Sequence, residues 1–168
     1  MEDRWTVSAR ALEDQIPRAT YRFTLTYQVL PTLSAGIEYN PQVEEVNPLL
    51  NWLVLQEKEK RPAVVIGTSS DRIGTPEGQS YYLTVSKNLK ELTHLPIAPY
   101  IGAAYGTFED RWRFIGGMEI DFTHGFWALV IYDGVNWHPT VNYSYGRHTG
   151  TFLMVDGEDP GVAYSVRF

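Results

Sequence analysis

An all-β chain folded as a closed antiparallel up-and-down barrel of about twelve strands, with ten as the alternative count, is the class that three observations predict. From Thr20 to Val29, the apolar Tyr21, Phe23, Leu25, Tyr27 and Val29 alternate with Thr20, Arg22, Thr24, Thr26 and Gln28, which is the period of a strand and not of a helix. Similar segments recur along the chain with short turn-forming stretches between them, so sequential strands pair antiparallel, and closure removes the exposed sheet edges. The 168 residues carry no solenoid-length repeat, low-complexity tract or linker, so residues 1–168 form one domain.

Composition narrows the function classes. A formal net charge of −6 and a sequence pI near 5.2 argue against a nucleic-acid partner, whose binding surface would be basic and clustered. Hydrophobic residues make up 43% of the chain and the mean hydropathy is −0.25. Apolar residues nowhere run together for the roughly 18 positions that a membrane-spanning helix needs, but alternating membrane strands escape that test. Zero cysteines rule out a disulfide framework and a thiolate metal site and leave the redox compartment open. The start Met1-Glu2-Asp3-Arg4 has neither the basic nor the apolar region of a signal peptide, so none is expected in this sequence, and an exported form would be the mature one.

The elements follow in order. Trp5, Val7, Ala9 and Ala11 face away from Thr6, Ser8 and Arg10. A polar loop leads to the Thr20–Val29 strand, and Pro31-Thr32 turns the chain into Leu33, Ala35, Ile37 and Tyr39, alternating with Ser34, Gly36, Glu38 and Asn40. That turn length makes a hairpin. Leu49 to Gln56 and Ala63 to Ser69 are apolar on both faces and have no assignable orientation, with a charged turn 57–62 between them. Ser70 to Gln79, rich in Gly, Pro, Asp and Ser, reads as a long loop before Tyr81, Leu83 and Val85, which oppose Tyr82, Thr84 and Ser86. Asn88 to Pro99 offers a helical turn, with Leu89 and Leu92 three apart. Gly102, Ala104 and Gly106 then form a small face that leaves room for bulky neighbours. Trp112, Phe114, Gly116, Met118, Ile120 and Phe122 alternate with Arg111, Arg113, Ile115, Gly117, Glu119 and Asp121, and Thr123-His124-Gly125 turns into Phe126, Ala128, Val130 and Tyr132. Val141, Tyr143 and Tyr145 against Thr140, Asn142 and Ser144, then Thr149 to Asp156, precede the terminal strand. With the N-terminus on the inner side, connections one, three and five read as long and two and eight as tight, while the Asn88 to Pro99 link runs against the pattern.

The chemistry of the polar face decides which side is wet. A water-exposed wall carries Lys and Glu in quantity, whereas this face is mostly Ser, Thr, Asn, Gln and Gly, which suits a confined lumen and a transmembrane barrel. Aromatic residues fall toward strand ends, with Tyr39, Trp112 and Tyr132 at one rim and Trp5, Tyr27, Phe122, Phe126 and Phe168 at the other, like interfacial girdles. The last stretch, Gly161-Val162-Ala163-Tyr164-Ser165-Val166-Arg167-Phe168, alternates to the end of the sequence. Its Tyr164, Val166 and Phe168 resemble the C-terminal strand of bacterial (Gram-negative) outer-membrane β-barrel proteins, a resemblance of class. It implies a bacterial outer-membrane location, contact with outer-membrane lipid, and use of Tyr164, Val166 and Phe168 as the signal read by the barrel assembly machinery.

Motifs for chemistry are sparse. His94, His124, His138 and His148 lie in turns or alone on strands, with no metal-ligand spacing. The chain has no G-x-S-x-G elbow. The 67–78 glycines lack phosphate-loop spacing, and Asp156-Gly157-Glu158-Asp159 fails the calcium-loop pattern. No enzyme activity, metal or cofactor is therefore expected. The residues singled out are the charges that alternation turns inward: Arg10, Arg22, Glu38, Arg113, Glu119, Asp121 and Arg167. Charges in a low-dielectric lumen must pair or keep water, so this mixed set predicts a salt-bridge network or a hydrated pore lining. Arg22 and Glu38 come within reach if the hairpin turns at Pro31, and Trp127, Leu129 and Ile131 narrow the lumen. The function expected is passive: a narrow porin-like channel for small polar solutes, or a structural barrel docking other envelope proteins. The competing class is a soluble lipocalin-like barrel binding an apolar ligand.

Overall fold

In a computed structural model, which describes residues 3–13 and 15–168, the alternating segments become twelve antiparallel strands closed into one up-and-down barrel. Met1 and Glu2, the beginning of the stretch in which no signal peptide is expected, lie outside the described residues. The strands are β1 (Trp5–Leu12), β2 (Tyr21–Leu30), β3 (Leu33–Asn40), β4 (Glu45–Leu55), β5 (Ala63–Ser70), β6 (Gln79–Ser86), β7 (Ile97–Gly106), β8 (Arg111–Thr123), β9 (Phe126–Tyr132), β10 (Trp137–Tyr145), β11 (His148–Val155) and β12 (Asp159–Arg167). Each pairs with its sequence neighbours, and β1 pairs with β12 to close the ring.

Register carries the alternation around the wall. Val166, Val7, Leu25 and Ile37 sit directly opposite one another on β12, β1, β2 and β3, and all face outward. One position along, Ser165, Ser8, Thr24 and Glu38 form the matching inward row, where the Ser8 and Thr24 hydroxyls bond at 2.5 Å. A slip by one residue would exchange the two rows, so the pattern specifies the register strongly. Every Lys, Arg, Asp and Glu inside the strands occupies an inward position: Arg10, Arg22, Glu38, Glu45, Arg111, Arg113, Glu119, Asp121, Asp159 and Arg167. The outward positions are mostly apolar, with Trp112 69%, Phe114 63% and Ile101 57% exposed, and the polar ones, such as Thr68, Gln79 and His148, lie toward strand ends.

Two inward glycines make room for rings from neighbouring strands. Tyr82 lies over Gly67, where a Cβ would come within 2.4 Å of its ring, and Tyr100 lies over Gly117, where a Cβ would come within 2.6 Å. The Tyr82 hydroxyl reaches on to donate to Asn51 Oδ1 at 2.6 Å.

The two ends differ. Trp5 and Phe168 exchange backbone hydrogen bonds at what we call the lower end. The upper end holds the connections 13–20, 41–44, 71–78, 107–110, 133–136 and 156–158. The two-residue lower hairpin between β8 and β9 has positive φ at both His124 (53°) and Gly125 (85°), the conformation that matches the strand twist.

Three expectations are corrected. The polar loop after β1 contains a second helical turn, α1 (Pro17–Thr20), started by a proline that alternation does not flag. The third connection is only 41–44, because β4 starts at Glu45. The lower link is shorter than Asn88 to Pro99, since β7 begins at Ile97, and within it α2 (Lys90–Thr93) forms the expected turn. Pairing also orients the ambiguous strands: Asn51 and Leu53 face inward with Gly67 and Val65, and Trp52 faces outward with Ile66.

Candidate functional site at the capped end of the lumen

The inward charges separate by height. Arg10, Arg22, Glu38 and Arg113 lie toward the upper end, and Glu119, Asp121 and Arg167 toward the lower end. Beneath the upper loops is a cavity of about 430 Å³ whose lining includes Arg10, Arg18, Arg22, Glu38, Asn40, Tyr82, Asp133 and His138.

Within it, Arg22 and Glu38 form the ion pair that the hairpin register implies. Thr24 is opposite Glu38, so Arg22 is diagonal to it, and Glu38 Oε2 accepts from Arg22 Nε at 2.6 Å and lies 2.5 Å from Nη2. Asn40 donates to the other Glu38 oxygen at 3.0 Å. Glu38 is 1% exposed; a buried carboxylate of this kind persists only when its oxygens are satisfied. Arg10 sits directly opposite Arg22 in the β1–β2 register.

Two connections roof this cavity. Arg18, in α1, is buried and makes four hydrogen bonds into the 71–78 loop: Nε to the Thr75 carbonyl at 2.6 Å, and Nη2 to the Asp71 carbonyl at 3.0 Å, the Arg72 carbonyl at 2.7 Å and Thr75 Oγ1 at 2.7 Å. Burial pushes the Arg18 guanidinium below its ordinary range, with Glu45, Glu38 and Asp71 pulling the other way. Beside it Leu12, Ala19, Leu153 and Val155 form an apolar cluster joined by Ile16 and Ile73, so the two loops are sealed by packing as well as by bonds.

A second group of bonds ties the remaining upper turns. Glu109 bridges Arg72 at 2.8 Å and Arg113 at 2.5 Å. The hydrogen bonds from Arg72 and then Arg113 lower its carboxyl to about 2. Arg113 thus faces the upper mouth and is part of the roof. His138, 4% exposed, accepts from the Asp156 N–H through Nδ1 at 3.2 Å, so its Nε2 carries the proton donated to Asp133 at 3.0 Å. Burial raises the Asp133 carboxyl, but the bonds from His138, Asn136 and Val135 outweigh it and hold the group below its usual range.

The lower end is a hollow of about 370 Å³ lined by Glu119, Asp121, Trp127, Ser144, Thr149 and Arg167. Its three charges are exposed. Trp127, Leu129 and Ile131 face inward, opposite Asp121, Glu119 and Gly117. At the rims, Trp5 stacks obliquely on Tyr27 and Phe126 on Tyr143 below, and Tyr105 on Trp112 and Tyr132 on Trp137 above, with centroids 4.6 to 5.6 Å apart. Tyr164 and Val166 face outward, and Phe168 ends the lower rim beside Trp5.

Sequence reasoning did not find Arg18, Arg72 or Glu109, which lie in connections, where no alternation indicates direction. Asn40 and Tyr82 did carry a signal, since both share the polar parity of their strands. Neither a family model nor a curated protein matches this chain.

Proposed function

We propose that this chain is a bacterial outer-membrane β-barrel with a passive role: a narrow porin-like conduit for small polar solutes, held shut at its upper mouth by the 13–20 and 71–78 connections. The observation that carries the membrane part is the polarity of the wall, with all strand charges inside and open apolar side chains outside. A lipocalin-like barrel needs the reverse arrangement, an apolar lumen and a hydrated exterior. An apolar wall of this extent in water would be an association surface, whereas in lipid it carries no such cost. Strands of 7 to 13 residues bracket the ~9 to 11 that cross a bilayer when tilted. The two aromatic rims fit headgroup level. The resemblance of Tyr164, Val166 and Phe168 to the terminal strand of such barrels adds recognition by the barrel assembly machinery.

The conduit part is supported by a lumen lined with Thr24, Thr26, Thr84 and Ser86, all only half-buried, as in a space that admits water. The roof stitched by Arg18 favours the second reading, a structural barrel that docks other envelope proteins.

Leu25→Arg, measured by folding titration into lipid vesicles, should cost about 2 to 4 kcal/mol, because it places a charge on the lipid face near mid-depth. The wild type should also need detergent or lipid to stay folded and should run heat-modifiably on a gel. A near-neutral Leu25→Arg, or a protein folded without amphiphile, would sink the membrane reading. Planar-bilayer recordings separate the other two: small unitary steps support the conduit, and silence in both the wild type and a roof-opening variant supports docking.

A further inference from the structure

Like charges directly opposite on neighbouring strands repel, yet β1 and β2 set Arg10 against Arg22, both pointing into the capped cavity. The pair has one carboxylate between them, Glu38, and Arg22 and Asn40 already occupy both of its oxygens. The other carboxylates of the cavity are engaged as well. Asp133 accepts from His138 and from the N–H groups of Val135 and Asn136. Asp71 accepts from the N–H groups of Arg72 and Phe108. Glu45, also near this mouth, keeps its buried Oε2 without a partner among the described residues, but it is not among the charges that act on Arg10, which are those of Arg22, Glu38 and Arg18.

Arg10 is left over. Its Nε is out of reach of solvent and has no hydrogen-bond partner among the described residues. A guanidinium with a buried, unpaired donor is costly unless a counter-charge arrives. The flat fork of donors on arginine matches a carboxylate or phosphoryl group two oxygens at a time.

We propose that Arg10 and Arg22, facing each other under the roof, form a binding site for a small oxyanion, the carboxylate or phosphoryl group of a solute of about monosaccharide size. The size follows from the cavity of about 430 Å³. Asn40, Ser69, Tyr82 and Thr140 in the lining supply the amide and hydroxyl groups that a hydroxylated solute would meet. The site goes beyond the passive reading and needs only the folded barrel, so it can succeed or fail whether or not the protein conducts.

Isothermal titration of the full chain, folded in detergent at low salt, with inorganic phosphate and separately with gluconate tests it. Saturable binding of either anion is expected, with the better one naming the class. Arg10→Gln should weaken it at least tenfold, whereas Arg147→Gln, whose side chain pairs with Asp3 away from the cavity, should leave it unchanged. Because Arg10→Gln can fail to fold, the wild type gives a second reading: its melting temperature should rise in saturating phosphate or gluconate relative to chloride of matched ionic strength. Absence of both saturable binding and a melting shift in the wild type overturns the proposal, as does a folded Arg10→Gln that binds within twofold of the wild type.

Discussion

At the upper mouth, side chains reach from loop to loop, with Arg18 holding 71–75, Glu109 joining Arg72 to Arg113, and His138 joining the 133–136 and 156–158 turns. At the lower mouth, the two-residue connections 31–32, 124–125 and 146–147 hold themselves by backbone geometry, and Glu119, Asp121 and Arg167 stay exposed around an open hollow. The strands are common to both ends, so their alternation does not explain the difference. The connections do: the lower links 56–62 and 87–96 are as long but are tied by the partly exposed Lys87, whereas Arg18, itself buried, locks the upper α1 and 71–78 segments together over the lumen. The upper opening of the lumen is therefore set by its connections rather than by its strands.

The sharpest way to break this contrast is Arg18→Met, which removes four hydrogen bonds and takes the guanidinium donor from the Asp71 and Thr75 carbonyls and the Thr75 hydroxyl, while the Arg72 carbonyl keeps its bonds from Thr75. Bonds to a charged group contribute roughly 1.5 to 3 kcal/mol each and are not additive, so a loss of about 3 kcal/mol in urea unfolding is expected. Amide exchange in 71–78 should accelerate while the β1–β2 ladder stays protected, and bilayer recordings should show larger or longer openings. Unchanged exchange in 71–78 would mean that the apolar cluster alone holds the roof.

A smaller effect should appear with acid. The Glu109 carboxyl lies at about 2 in the folded protein, below the ~4.3 of an unfolded chain. A lowered folded value means that the stabilisation is fully present above the unfolded pKa and is lost as pH falls through the folded one. Glu109→Gln should therefore lower the melting temperature near neutral pH, and the difference from the wild type should shrink between pH 4 and 2. A difference that stays constant down to pH 2 would show that the bonds from Arg72 and Arg113 do not depend on the charge of Glu109.

These two residues also show where the sequence was legible. The strand segments and their faces were readable because a strand reports direction at every second residue, and the Pro31-Thr32 turn fixed the register that joins Arg22 to Glu38. Arg18, Arg72 and Glu109 were not readable, since a residue in a connection has no parity. The orientation of β4 and β5 was hidden for another reason: Leu53 and Val65 are apolar and face inward, so both faces look alike there. The opposition of Arg10 and Arg22 needed the pairing itself, because a shift of two residues would keep every face and move that contact.

The smallest expected effect belongs to the lower mouth and serves as the control for the rest. Lys87 lies 3.1 Å from Glu57 and donates to the Lys58 carbonyl at 2.6 Å, tying the 56–62 turn to the start of the α2 link. Unlike Arg18, it is only partly covered, and both partners keep access to water. An exposed pair of this kind contributes about 0.2 to 1 kcal/mol, since screening and side-chain entropy offset most of the attraction. Lys87→Ala should change urea stability by less than about 1 kcal/mol, with the cost falling further at high salt, and should leave amide exchange at 71–78 untouched. If it instead destabilised as much as Arg18→Met or loosened the upper loops, the two mouths would be coupled through the wall, and control of the lumen would no longer rest with the upper connections alone.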